Sequence, residues 1–456
     1  MFRKVLIANR GEIARRVERT CRRLGVETVA VFSEADRQAP FVREADYAVA
    51  IGPADARGSY LNIEAIVSAL RESGADAVHP GYGFLSENAA FARAVAGAGA
   101  TFIGPSPRAL ELFGDKVRAR ELARLAGVSP PPGIEAALSG DFALAERMAE
   151  SLGYPILIKA AAGGGGIGME IVRSPEGLDR ALEKCASRGA AAFSDDRVYM
   201  ERYVVRARHV EVQVLRDADG NTAVLGEREC SIQRRHQKVI EETPCAAAFF
   251  RGEAGAPRRA ALWDDARRII DAADYEGAAT VEFVFEPEGT AYFLEVNARL
   301  QVEHPVTEAV TGLDLVELQL RIAAGESLPE AALRPRFDGH AIEARLYAED
   351  PSRGFLPQPG RLERVQFPEG VRVDSGVEAG MEVTPHYDPL LAKLTAHAAT
   401  REEAVAKLEG ALEATELVLV GKSGPRRTNI DALLAVLRTP AFRSAQYDTE
   451  LLAQLY

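Results

Sequence analysis

Four consecutive glycines inside what otherwise reads as a β-unit constrain this chain more than any other feature. The run is Ala162-Gly163-Gly164-Gly165-Gly166-Ile167-Gly168-Met169, set between a short strand ending in Lys159 and another beginning near Glu170. Glycine loses more backbone freedom on folding than any other residue, so four in a row would be wasteful in a plain surface loop. What they provide is close approach: backbone N–H groups can reach phosphate oxygens with no Cβ in the way. No Gly-Lys-Ser/Thr follows, so the run is not a Walker loop. A mobile lid over phosphates is the better reading.

The surrounding pattern predicts an α/β chain. Val5 to Ala8, Thr28 to Phe32 and Tyr47 to Ile51 are apolar strand-length runs. Between and after them, Glu12 to Leu24 and Leu61 to Leu70 carry helical spacing. Such alternation indicates a parallel sheet covered by helices. The turn at Gly11 lacks GxGxxG and reads as a tight strand-to-helix turn. Pro130-Pro131-Pro132-Gly133 breaks the pattern. From about Arg208 to Val296 β-branched alternation dominates. Helical pattern returns at Val306 to Ala324, and after Gly339 short strands precede a helical stretch, Arg401 to Ala414. With 456 residues, about three domains are expected.

The net charge is −12, with no long basic run, which argues against a nucleic-acid partner. Local field still permits anionic small substrates. Cys21, Cys185, Cys230 and Cys245 form no CxxC pair or zinc spacing, which suits a reducing cytosol. The apolar run after Met1-Phe2-Arg3-Lys4 is too short for a signal-peptide core. No stretch is long and apolar enough for a membrane span. A cytoplasmic protein is expected.

A hairpin carries the sharpest chemical signal. Thr280 to Phe285 and Ala291 to Asn297 alternate about the turn Pro287-Glu288-Gly289-Thr290. A turn centred on Glu288-Gly289 sets Glu282 opposite Glu295, and like charges so placed are destabilising. A divalent cation would relieve the conflict, and Asn297 shares that face. Two solvated glutamates without a ligand are the plain alternative. Next comes Asn297-Ala298-Arg299-Leu300-Gln301-Val302-Glu303-His304-Pro305. Arg299 offers a fork of donors to a small planar anion, and Glu303 can accept its proton. The basic cluster Gln233-Arg234-Arg235-His236-Gln237-Lys238 suits neutralisation of phosphate charge. His79 and His340 read as structural. Gly421-Lys422-Ser423 ends like a Walker motif, but Glu416 stands where glycine is needed, so it reads as a polar loop.

Taken together these segments resemble the biotin carboxylase family over essentially the whole length. The matching motifs include Ile7-Ala8-Asn9-Arg10-Gly11-Glu12-Ile13-Ala14, His79-Pro80-Gly81-Tyr82-Gly83-Phe84-Leu85-Ser86-Glu87-Asn88, Gly114-Asp115-Lys116, Ser231-Ile232-Gln233 and Glu295 through Glu308. The resemblance implies an ATP-grasp fold: an N-terminal unit at 1–114, an ATP-grasp unit at 115–330 with a lid at about 131–203, and a C-terminal unit at 331–456. It implies that Lys116, Lys159 and the loop Gly163, Gly164, Gly165, Gly166, Gly168 and Met169 hold ATP phosphates. Glu201 and His209 would line the adenine and ribose site, with Val204 near the base and Gln233 and His236 beside the nucleotide. Glu282, Glu295 and Asn297 would bind Mg²⁺ or Mn²⁺. Arg299, Gln301 and the Val302 backbone would bind bicarbonate, with Glu303 as its base and Lys238 near the transferring phosphate. Arg345 would stabilise the biotin enolate, and Tyr82 and Gly83 lie in the segment placed beside biotin.

The family reaction is ATP-driven carboxylation of biotin through carboxyphosphate, the first half-reaction of acetyl-CoA or other acyl-CoA carboxylases. Biotin would sit on a separate carrier protein, because none of the five methionines precedes a lysine. A carboxyltransferase partner and a homodimer are also implied. Another ATP-grasp ligase making an acyl phosphate would have no need of Gln301-Val302-Glu303 or Arg345. A catalytically impaired ATP-binding regulatory subunit would be expected to lack Glu303, Lys238 or Arg345. The chain departs from the family at Ile167, where arginine is usual, at His386, where tyrosine is usual, and in a longer segment at 419–429.

Overall fold

The computed structural model describes all residues except 135–137, 139–141, 162–167, 194 and 235–236, and omits the side chains of 134 and 193. The apolar run at the N-terminus becomes the strand Lys4–Ile7, central in a five-stranded parallel sheet. Its order is Tyr47–Gly52, Glu27–Ser33, Lys4–Ile7, Ala77–His79, Thr101–Phe102. Val5, Leu6 and Ile7 are all buried, as a strand covered on both faces requires. The helix Gly11–Arg23 packs on it through Ile13, Val17 and Cys21.

The second sheet has eight strands and organises the site. Its order is Ala291–Asn297, Gly277–Phe285, Arg208–Arg216, Thr222–Arg234, Gln237–Thr243, His340–Tyr347, Leu390–Ala398 and Arg372–Ser375. Strand His340–Tyr347 pairs with Gln237–Thr243, Ile240 lying opposite Ala344, so one continuous sheet joins the middle and last thirds of the chain. A smaller sheet of Gly133–Ile134, Val198–Arg202, Ile156–Ala160 and Met169–Val172 brackets the glycine run. Helices Phe142–Leu152 and Leu178–Phe193 cover it through Ala145, Ala149, Leu182 and Cys185.

Several boundaries differ from the sequence reading for local reasons. The helix expected from Leu61 begins at Ile63, because the Asn62 side chain accepts from the Ala65 amide and caps it. The pattern from Val306 to Ala324 divides into His304–Thr311 and Leu315–Ala323. Gly312 ends the first at φ +68°, and Asp314 caps the second. The segment at 419–429 proves to be a hairpin, Glu416–Gly421 with Gly424–Arg426, added to the edge of strand Gly360–Gln366. Gly421-Lys422-Ser423 is part of that turn region. His386 is exposed. His79 is buried beside Gln319, and His340 lies 2.7 Å from Glu242. No helix among the described residues is long and apolar enough to cross a membrane.

Candidate active site

Strand register builds the centre. Glu282 lies directly opposite Glu295 on one side and Glu211 on the other, and Glu211 faces Arg228. The Glu282–Glu295 pairing arises in a way the turn alone did not predict. Phe285 pairs with Ala291, which centres the turn on Glu288, and a one-residue bulge after Glu282 then restores the register. Three carboxylates in a row would repel, and the surrounding cations answer them. Lys238 Nζ contacts Glu211, lies 2.8 Å from Glu282 Oε1 and 2.7 Å from Glu303 Oε1. Arg228 holds Glu211 at 2.5 Å, and His209 Nε2 sits 3.0 Å from Glu282 Oε2.

The loop after the hairpin folds back onto this row. Asn297 and Gln301 donate to Glu282 Oε1 at 2.9 and 3.2 Å. Arg299 donates to Asn297 at 2.9 Å, to Gln301 at 2.9 Å and to Glu87 at 2.9 Å. Arg345 approaches Glu303 Oε2 at 2.8 Å and Glu241 Oε1 at 2.6 Å. Glu303 is fully buried between Lys238 and Arg345.

This environment pushes neighbouring carboxyls apart. Burial alone would raise Glu303, but Lys238, Arg345 and Arg228 overcome it and hold the carboxyl well below its usual range. Glu282 is held low despite burial by Lys238 and His209. Burial together with Glu303 raises Glu211, and burial against the pull of Arg345 leaves Glu241 pushed up to about 7. Glu303 is therefore ionised at neutral pH, as a proton acceptor must be.

A second cluster lies toward the small sheet. Lys116 contacts Glu295, Lys159 lies 2.5 Å from Glu201 and Arg120 lies 2.6 Å from the same carboxylate. Among the described residues, three cations thus meet Glu201 and Glu295 here. Burial lowers the Lys159 ammonium, with Lys116 adding to the effect against Glu201, while Glu295 leaves Lys116 raised despite its burial. Gly168 adopts φ +75° and its carbonyl accepts from the Ala160 amide at 2.9 Å, with Met169 opening the next strand opposite Lys159. Gly163, Gly164, Gly165, Gly166, Ile167 and His236 lie outside the described residues.

The other expected residues are nearby in chain and sheet. Gln233 lies opposite Lys238 and donates to the Cys230 carbonyl at 2.8 Å. Val204 is buried just after the strand Val198–Arg202. Tyr82 donates to Glu12, and Gly83 is exposed at φ +67°. Glu282, Glu295 and Asn297 supply the oxygens that a hard divalent cation takes, so the donor chemistry fits Mg²⁺. The structure adds Glu211 beside His209 and Glu282 as a further acidic donor. Glu211, Arg228, Glu241 and Glu87 were missed by the sequence reading. A signal existed for Glu211: His209, Glu211 and Gln213 alternate with Val210, Val212 and Val214, marking one polar face on an otherwise buried strand.

Comparison with known proteins fits this geometry. Residues 1–110 match the family model "Biotin carboxylase, N-terminal domain", 115–331 match "Carbamoyl-phosphate synthase L chain, ATP binding domain", and 343–454 match "Biotin carboxylase C-terminal domain". Biotin carboxylase 2 of Bacillus subtilis is 46% identical over 456 residues, covering 100% of both chains. The biotin carboxylase of Haemophilus influenzae is 49% identical over 420 residues, covering 91% of each. The biotin carboxylase domain dimer of Hydrogenobacter thermophilus 2-oxoglutarate carboxylase, solved with MgADP, ADP and bicarbonate, superposes with a TM-score of 0.93 at 42% identity. That match covers 100% of this chain and 98% of the other. With three family models in order along the chain and full-length relatives of this identity, the chain belongs to the biotin carboxylase family of ATP-grasp enzymes.

Proposed function

We propose that this site transfers a carboxyl group from bicarbonate to biotin in a reaction driven by ATP. The observation that carries the reading is Glu303, a buried carboxylate kept ionised between Lys238 and Arg345. Lys116, Lys159 and the glycine loop bind the phosphates, where, among the described residues, three cations meet Glu201 and Glu295. Glu201, Val204, His209, Gln233 and His236 line the nucleotide. Glu282, Glu295 and Asn297 would hold Mg²⁺, which when bound supplies neutralisation of phosphate charge.

Arg299, Gln301 and the Val302 backbone orient bicarbonate, and Glu303 takes its proton. The freed oxygen attacks the γ-phosphorus, ADP leaves, and carboxyphosphate breaks into CO₂ and phosphate. Phosphate takes the ureido proton of biotin beside Tyr82 and Gly83, and the enolate, stabilised by Arg345, captures CO₂. Lys238 connects the two halves. When an anion draws its ammonium away, the field that depresses Glu303 weakens and the carboxylate becomes more basic.

Biotin arrives on a separate carrier protein, and a carboxyltransferase receives the product. The support is the match, over nearly the whole of both chains, to relatives that are themselves named biotin carboxylase. The chain works as a homodimer in the cytosol, a reading supported by the dimeric structural relative and by four buried free cysteines. The functional units run 1–114, 115–330 and 331–456. The test is ATP turnover with bicarbonate, with free biotin and then with a purified biotinylated carrier. Tethering raises effective concentration to about millimolar, so the carrier should raise turnover well above the free-biotin rate. Turnover indifferent to both forms of biotin would overturn the reading.

A further inference from the structure

Lys393 has no place in the mechanism above, yet it sits at its structural junction. It lies on strand Leu390–Ala398 directly opposite Arg345, so both cations leave the sheet on one face. Like charges placed so destabilise a strand pair, and complete burial of the Lys393 side chain adds a desolvation cost. Its contacts explain why the arrangement persists. Nζ donates to the Val302 carbonyl at 2.7 Å and lies 3.1 Å from Glu12 Oε1. Glu12, in the first turn of helix Gly11–Arg23, also accepts the Tyr82 hydroxyl. Meanwhile Arg345 holds Glu303 at 2.8 Å. Two adjacent cations therefore grip consecutive residues of one loop, Lys393 through the Val302 carbonyl and Arg345 through the Glu303 carboxylate.

A lysine that merely joined the two sheets would be a poor choice, because a buried ion pair stabilises no better than well-packed apolar residues. The contact to a backbone carbonyl in the loop, and the link through Glu12 to Tyr82, point to a different role. We propose that Lys393 is a positioning residue for carboxylation: it sets the Val302–Glu303 peptide and the Tyr82 ring at a fixed separation. Bicarbonate and biotin are then held in mutual register. The inference rests on the reading that Val302 and Glu303 handle bicarbonate and that Tyr82 lies beside biotin. The ammonium fixes the plane of the Val302–Glu303 peptide, and with it the direction from which Glu303 meets its proton. A misplacement of about 1 Å in such a site can cost about a hundredfold in rate.

The experiment uses the full chain with a biotinylated carrier and compares wild type, Lys393→Met and Lys393→Arg. Lys393→Met should raise the KM for bicarbonate about tenfold or more and lower biotin-dependent kcat. The KM for ATP should stay within about twofold, because no nucleotide-binding residue is touched. Lys393→Arg, which keeps a charged donor, should recover part of the loss. Unchanged bicarbonate and biotin kinetics in Lys393→Met overturn the proposal, as does a rise in ATP KM that parallels the rise for bicarbonate. Should Lys393→Met fail to fold, Glu12→Gln weakens the same link, and a wild-type KM for biotin in that variant overturns the proposal instead. A wild-type enzyme with no biotin-dependent turnover removes the functional reading and this inference together. An active wild type matched by Lys393→Met removes this inference alone.

Discussion

Lys159 and Lys238 are similarly withdrawn from solvent, with side chains 4% and 10% exposed, yet their surroundings are opposite. Around Lys159, among the described residues, Lys159 and Arg120 contact Glu201 and Lys116 contacts Glu295. Around Lys238, three cations, Lys238, Arg228 and Arg345, meet four carboxylates: Glu211, Glu241, Glu282 and Glu303. The first cluster sets three cations beside the strands that flank the glycine run and suits an incoming phosphate. The second gathers carboxylates around one lysine and suits a divalent cation and a base. The difference shows that burial alone does not decide a lysine's behaviour. The count of charged partners does, which is why burial lowers Lys159 while the carboxylates raise Lys238 well above the usual lysine range despite it.

The largest expected effect tests the negative cluster at its functional end. Glu303→Gln keeps shape and removes the base, so kcat should fall by about 10² to 10⁴ with little change in the KM for ATP. A variant that loses only ATP affinity would assign Glu303 to the nucleotide instead.

The next effect compares the two clusters directly through stability. Lys238→Met removes the cation shared by the fully buried Glu211 and Glu303 and by Glu282, leaving Arg228, Arg345 and His209 to answer three carboxylates, and should cost about 3–5 kcal/mol. Lys116→Met leaves Glu295, whose side chain is 24% exposed, able to reach water, and should cost about 1 kcal/mol. The Lys238→Met loss should shrink as pH falls, because protonation neutralises these three carboxylates. Chemical denaturation at two pH values measures both. Equal costs for the two variants would break the contrast.

The smallest effect sharpens it. With its ammonium held below the ordinary value, Lys159 loses its proton sooner than a free lysine as pH rises. Nucleotide affinity should therefore weaken a few-fold at a lower pH than the titration of an ordinary lysine would bring, since a neutral amine offers phosphate no charge. Lys159→Arg keeps its charge there and should show a flatter profile. Affinity in wild type that is level with pH would mean that Lys159 stays fully charged.

By itself, the sequence determined the parallel α/β start, the glycine run between two strands, and the hairpin that carries Glu282 and Glu295 on adjacent strands. Each is local: period-two and helical patterns, breakers and turn residues act over a few positions. Even so, the Glu282–Glu295 pairing needed a bulge that no turn rule signalled. Family motifs then carried Lys238, Glu303 and Arg345 to the same centre. What only the tertiary structure decided is who answers whose charge. Glu211 meets Glu282 from a strand more than sixty residues earlier, Arg228 closes the row, and Lys393 reaches Val302 from ninety-one residues away. Electrostatic partners are chosen by proximity in the folded sheet, and proximity across eight strands leaves no mark in the spacing of residues along the chain.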